Sequence, residues 1–419
     1  MSSSHAATAS ALPAEPARLV KPGTLLGIGA IFAALTLVGL FIDAKENVAF
    51  SWLIALCFWL SITIGSLLMV MIHHVFDSGW STVPRRTMEH WLSAFVPLAL
   101  LFAPLVIAAS FLDPGLVWRW LNPANPAVSS DILLTKKSGF LNPGAFVFAS
   151  AFFFAFWIFI SSRLRRHSFA QDDDGDAAHT QANRFTSAWG IPFTALTLTF
   201  AAFYWFMSLE YHWFSTMYGV WYFASSMRAM LAFTALLCIY LTSRGVLRGI
   251  FRPAHMLSYG NLMLAFTVFW AYITFSQYFL IWNANVPEET FWFNLREFNP
   301  STGDFNSWRW IGFTLVFGHF VFPFLYLLQN PLKKKVGAMV FICVWNLVTQ
   351  LIDFIFNILP GHKLANGDPV PFGTGAAWFV TAFISIGAFC LWAFFNSLSK
   401  VRAIPIRDPR IVESLHLHE

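Results

Sequence analysis

Long apolar runs separated by short polar connectors account for most of the chain. A helix needs about 20 consecutive apolar residues to cross a hydrocarbon core about 30 Å thick. By that rule the runs 24–42, 48–71, 91–112, 143–162, 189–209, 215–241, 257–282, 308–328, 336–358 and 373–397 each predict one membrane-spanning helix. The pattern is that of an all-α integral membrane protein, and ten spans put both chain ends on one side. It divides the chain into a disordered N-terminal segment 1–23 rich in Ala, Ser and Pro, a ten-helix membrane domain 24–397 and a C-terminal tail 398–419. The first segment lacks the charged, apolar, small-residue order of a cleaved signal peptide, so the first run is expected to remain as an anchor.

Inside the runs the polar positions carry the information. Asn346, Gln350, Asp353 and Asn357 are separated by 4, 3 and 4 residues, which places them on one helix face. Tyr218, Trp221, Ser225 and Arg228, separated by 3, 4 and 3, form a second such face. Thr267, Thr274 and Gln277 share a third helix, His319 lies near the middle of the eighth run, and His73 and His74 follow the second. Glu89 precedes the third run, and Glu210 and His212 sit at the corner between the fifth and sixth.

Two readings compete for these residues. As interhelical hydrogen-bond glue each contributes roughly 0.6–2 kcal/mol; alternatively, the stripes line a hydrated or quinone-accessible interior. The first reading suits the single Asn, Gln, Ser and Thr side chains. The second suits Asp353 and Arg228, because ionisable groups inside a membrane are costly and mark proton or substrate pathways. An arginine at mid-depth keeps its charge, so a carboxylate or several carbonyls must face it. Glu210, Asp353 and backbone carbonyls are the candidates, with Asp353 foremost.

Composition agrees with the membrane reading. Hydrophobic residues make up 57% of the 419 and charged ones 11%, against about 25% charged in soluble domains. Aromatics reach 18%, with 48 Phe and 19 Trp, as lipid-facing surfaces and interfacial belts require. The net charge of +5 sits in connectors, which argues against a nucleic-acid surface. On the terminus side the connectors and tails hold 18 Lys and Arg, against 7 on the other side, and Arg228 completes the 26. The positive-inside rule then makes both termini cytoplasmic, in a cell membrane.

Chemistry outside the stripes is sparse. Cys57, Cys238, Cys343 and Cys390 all fall inside apolar runs without CxxC spacing, as small buried hydrophobes do. No two histidines share a depth suited to haem, no Cys/His metal spacing occurs, and phosphate-loop and hydrolase motifs are missing. No intrinsic cofactor is expected. The connectors 113–142 and 283–307, rich in Pro, Asn and aromatics, read as shaped docking surfaces or as plain ordered connections. The connector 171–184, QDDDGDAAHTQANR, reads as a solvated acidic linker.

Four strings together resemble one family. HHVFDSGWSTVPRRTMEHW (73–91), KKSGFLNPGAF (136–146), FMSLEYHWFSTMYGVWYF (206–223) and FSQYFLIWNANVPEETFWF (275–293) are similar to the F-type membrane subunit of bacterial alternative complex III. That complex is a quinol:cytochrome c oxidoreductase, and its membrane subunits belong to the polysulfide-reductase-like (NrfD/PsrC-like) group. The likeness covers most of 24–397. It implies two four-helix bundles with flanking helices, and a subunit not catalytic alone that supports assembly, interacts with quinone or menaquinone and contributes a proton path. Haem c and iron–sulfur clusters would lie in partner subunits: a C-type paralogue, an iron–sulfur subunit and a multihaem cytochrome c, with a terminal oxidase as a further partner. His74, Gly79, Trp80, Arg85, Arg86 and Glu89 match the first motif, Glu210, His212, Trp213 and Tyr218 the third string, and Gln277, Trp282, Pro287, Glu288 and Glu289 the fourth.

The resulting candidates for proton transfer or quinone contact are His74, Glu89, Glu210, His212, Tyr218, Arg228, Gln277, His319, Gln350 and Asp353. Asp353 and Glu210 would carry protons near the outer side, Arg228 would favour their carboxylate forms, and His74 and Glu89 would serve the cytoplasmic mouth. Rival readings are a purely structural anchor for extracytoplasmic redox subunits and a secondary transporter. The inverted repeats and matched broken helices of the latter are not evident in the sequence.

Overall fold

The computed structural model describes residues 16–417, so the expected disordered segment falls mostly outside the described residues. Within them the chain is 76% helical without strands. Ten helices are long and apolar enough to cross a membrane, which is the architecture of a multi-pass membrane protein. They are α1 (Pro22–Ile42), α2 (Lys45–Val75), α3 (Thr82–Leu112), α4 (Pro143–Asp174), α5 (Ala178–Glu210), α6 (Tyr218–Ser243), α7 (Pro253–Ala284), α8 (Trp308–Leu327), α9 (Val336–Gly361) and α10 (Ala376–Leu398). Each coincides with one apolar run. Several reach further, α2 to residue 75 and α4 to residue 174, because a helix continues through polar residues that hydropathy alone assigns to connectors.

Helix α2 packs on α3, α5, α6, α9 and α10, and its apolar stretch is buried throughout. Small residues set how closely its neighbours approach. A Cβ on Gly65 would lie 2.3 Å from the Ser226 carbonyl oxygen of α6, so only glycine fits that seam. Helices α2 to α5 pack in a cycle, α6 to α9 in another, and α6 joins the two through α2 and α5. Helix α10 covers α2 and α3, and α1 lies on α10.

Helix α8 is not uniform. Between Trp308–Thr314 and Phe322–Leu327 the turn widens into a π segment, Leu315–Val321. Such turns leave carbonyls without regular partners, and Pro323 adds to this because it has no N–H to give to the carbonyl four residues earlier, His319. Side chains take over: Trp345 Nε1 donates to the Gly318 carbonyl at 2.7 Å and Arg228 to that of His319.

The connectors are folded. Residues 113–142 contain three short helices, and Trp118 and Trp120 donate to the Trp205 carbonyl and Ser208 Oγ, both at 3.1 Å. Residues 283–307 contain the helix Pro287–Asn294. The acidic connector 171–184 departs from expectation in part: Asp173, Asp174 and Asp176 are exposed, but α4 runs through Asp174, α5 starts at Ala178, and Gly175 in the left-handed region (φ 75°) ends α4. Asp172 is therefore not solvated but buried, 2.7 Å from Arg86 in an ion pair.

Candidate functional site

The two polar stripes read from the sequence face each other. Helices α6 and α9 pack side by side, and Tyr218, Trp221, Ser225 and Arg228 are buried on one, Asn346, Gln350 and Asp353 on the other. Their centre is the Asp353 carboxylate. Its Oδ2 accepts from Trp221 Nε1 at 3.2 Å, Trp270 Nε1 at 3.1 Å, Gln350 Nε2 at 3.1 Å and Ser225 Oγ at 3.4 Å. Its Oδ1 accepts from Asn357 Nδ2 at 3.1 Å. Five neutral donors from α6, α7 and α9 thus hold a buried acid without a cation in contact. Donors of this kind offset much of the cost of a buried polar group.

Arg228 lies deeper, fully buried. Its Nη2 donates at 2.7 Å to both the His319 carbonyl and Asn346 Oδ1. The partner is therefore the carbonyl freed by the π segment, together with an amide, rather than the Asp353 carboxylate put foremost by the sequence. Arg228 Nε and Nη1, both ring nitrogens of His319 and Gln350 Oε1 are buried without a protein hydrogen-bond partner. The His319 ring stands edge-on to Trp270, centroids 4.3 Å apart. Polar atoms therefore continue from Asp353 to mid-helix.

Above Asp353 is a cavity of about 530 Å³. Trp213, Tyr218, Trp221, Trp270, Thr274, Gln277, Trp292, Arg296, Asp353 and Asn357 are among its lining residues. Phe275 and Tyr278 of α7 and Phe313 and Val316 of α8 also line it and are exposed on the outside of the bundle. The cavity therefore opens sideways between α7 and α8, where a bilayer would be, and ends on a carboxylate.

Arg296 forms another wall and was not singled out in the sequence. Its guanidinium stacks 3.3 Å from the Trp292 ring centroid. It donates to the carbonyls of Trp292 at 2.7 Å, Phe356 at 3.0 Å and Asn357 at 3.0 Å. Burial lowers its pKa to about 9, opposed by Tyr218 and Glu210, so it stays protonated at neutral pH. The Trp292–Arg296 spacing of four was the available signal. Trp270 had none, being one tryptophan among 19.

The remaining candidates are more widely spread. Gln277 lines the cavity and accepts from Ser215 Oγ at 2.7 Å. Glu210 is ion-paired with Lys363 at 2.8 Å. His212 Nε2 is 2.5 Å from Asp131 Oδ2 on the surface. His74 and Glu89 sit at the opposite end, 3.9 Å apart and fully buried. Instead of lining an exposed mouth, Glu89 is ion-paired with Arg85 and Arg86, both at 3.1 Å, and accepts from Ser168 Oγ at 2.6 Å. The C-terminal segment covers this cluster: Arg85 is ion-paired with Asp408, which also accepts from Arg410 Nε at 3.0 Å. Arg410 in turn pairs with Asp77 at 2.9 Å.

The four cysteines are buried and unpaired. Among the described residues, no group of three or more His, Cys, Asp or Glu side chains could hold a metal ion. The fold and site thus define a multi-pass helical membrane protein with a laterally open, acid-ended cavity. Comparison with protein-family models and with curated proteins finds no match to this chain.

Proposed function

We propose that this chain is a membrane subunit of a respiratory quinol:electron-acceptor oxidoreductase of the alternative complex III type, and that its cavity accommodates the quinol or quinone. One observation carries the reading: an aromatic cavity of about 530 Å³ that opens between α7 and α8 and ends on Asp353. Its volume falls in the range of small-molecule sites. A quinol needs apolar walls for its ring and tail, and one acceptor for the hydroxyl proton. Tryptophan, tyrosine and phenylalanine supply the walls and Asp353 the acceptor.

Oxidation of a quinol releases two protons and two electrons. In this reading Asp353 takes a hydroxyl proton, and Gln350, Arg228 and His319 provide the polar route leading away from it. The electrons leave to haem c or iron–sulfur carriers in partner subunits, docked on the folded connectors 113–142 and 283–307. The charge bias of connectors and tails supports cytoplasmic termini in a bacterial cell membrane. The two packing cycles α2–α5 and α6–α9, flanked by α1 and α10, support the two-bundle plan.

A second reading is a structural anchor for redox subunits. It is favoured by Glu89 and Glu210, whose ion pairs leave neither in an open path. Purification of the tagged chain from its native membrane distinguishes these readings. A redox-complex subunit brings c-type haem absorbance with it and quinol oxidation falls on Asp353→Asn, whereas an anchor keeps full turnover in that variant. A chain that purifies alone, with no haem absorbance, contradicts both.

A further inference from the structure

A second cavity, of about 370 Å³, lies between α3, α4 and α10 at the end of the bundle where Ala17 meets Leu398. Arg165 of α4, Ser93 of α3, Ser397 of α10 and Lys400 just beyond it supply its polar wall, and Val96 and Trp392 part of its apolar wall. Arg165 Nη2 donates to Ser397 Oγ at 2.9 Å, while its Nε is buried without a hydrogen-bond partner. Among the described residues neither Arg165 nor Lys400 has a carboxylate within ion-pair distance, and none lines the cavity. Glu89, the acid of the neighbouring cluster, is taken by Arg85 and Arg86. Two cations therefore share a cavity that holds no counter-charge of its own.

Depth identifies what reaches it. Arg165 is 22 residues into α4, about 33 Å from Pro143 at 1.5 Å per residue. Asn396, also in the wall, is 20 residues into α10, about 30 Å from its start. Both lie at the edge of a hydrocarbon core about 30 Å thick, at headgroup level. From there Val96 (49% exposed) and Leu100 (68% exposed), one helical turn apart on α3, carry an apolar track towards the bilayer interior.

We infer that this cavity binds the headgroup of an anionic phospholipid, its phosphodiester held by Arg165 and Lys400, and an acyl chain lying over Val96 and Leu100. Basic pockets between membrane helices are suited to such headgroups. A zwitterionic headgroup brings an ammonium that meets no carboxylate here and faces Lys400, so the site discriminates by net charge. Free phosphate would satisfy the cations but leave the apolar track unused.

Native mass spectrometry of the full chain, delipidated in neutral detergent and titrated with dioleoylphosphatidylglycerol or dioleoylphosphatidylcholine, tests this. Phosphatidylglycerol is expected to bind at least fivefold more tightly. Lys400→Gln, at an exposed position, should weaken it about fivefold and the double variant with Arg165→Gln roughly 25-fold. Phosphatidylcholine binding and the control Arg248→Gln, exposed and outside the cavity, should not change. Equal binding of the two lipids overturns the inference, as does phosphatidylglycerol binding unaltered by Lys400→Gln. Full displacement by millimolar inorganic phosphate also overturns it, by assigning the site to the free anion.

Discussion

Asp353 shows what a buried carboxylate requires: five donors from three helices, none of them charged. Asp353→Asn keeps the size but removes the proton acceptor. If the proposed function holds, quinol oxidation by the intact complex should fall about 10²- to 10⁴-fold, the range for loss of a positioned acid–base group, while haem content stays unchanged. Unaltered turnover would remove Asp353 from the proposed chemistry. Arg228 has a structural task besides. Arg228→Ala leaves the His319 carbonyl and Asn346 Oδ1 without their donor and should lower stability in detergent by about 1–3 kcal/mol, read as a drop in thermal midpoint. Both residues were legible in the sequence because a charge in an apolar run is costly enough to stand out. Their partners were not, since nothing local links Arg228 to a carbonyl 91 residues away.

At the level of single helices, two small features decide geometry. Pro323 withholds an N–H from the His319 carbonyl, and Arg228 supplies the bond instead. Pro323→Ala restores a competing donor, so Arg228→Ala should cost less in that background. A double-mutant cycle should give a coupling of at least about 0.5 kcal/mol, and strict additivity would contradict the link. Gly65 sets the α2–α6 distance. Gly65→Val would push side-chain atoms into the Ser226 backbone and should destabilise by about 1–3 kcal/mol, visible as reduced yield of folded protein. The ten helices themselves were readable from hydropathy, because apolar length is the property a bilayer selects. The π segment was not: HFVFP contains the proline, but only packing against α6 shows which carbonyl is left free.

Across the whole molecule, the C-terminal segment acts as a strap over the buried cluster. Burial alone would raise the pKa of Asp408, but Arg85 and Arg410 outweigh it and hold the carboxyl well below the usual range. A lowered folded-state pKa contributes stability that is complete above the unfolded value, about 3.9, and is lost as pH falls below it. Limited proteolysis of the tail should therefore be independent of this group down to about pH 5, whereas Asp408→Asn should expose the tail to cleavage at neutral pH. Equal protection of that variant would show that the ion pair does not hold the strap. Neither this contact nor the burial of Asp172 could be read from the chain, because their partners lie 323 and 86 residues away. The central claim is that the cavity between α7 and α8 receives a quinone. Photolabelling of the full complex with an azidoquinone, followed by peptide mapping, tests it most directly. The account predicts label on residues lining that opening, Phe275, Tyr278 or Phe313, suppressed by excess unlabelled quinone. Label confined to other subunits, or placed on this chain away from the opening, would contradict it.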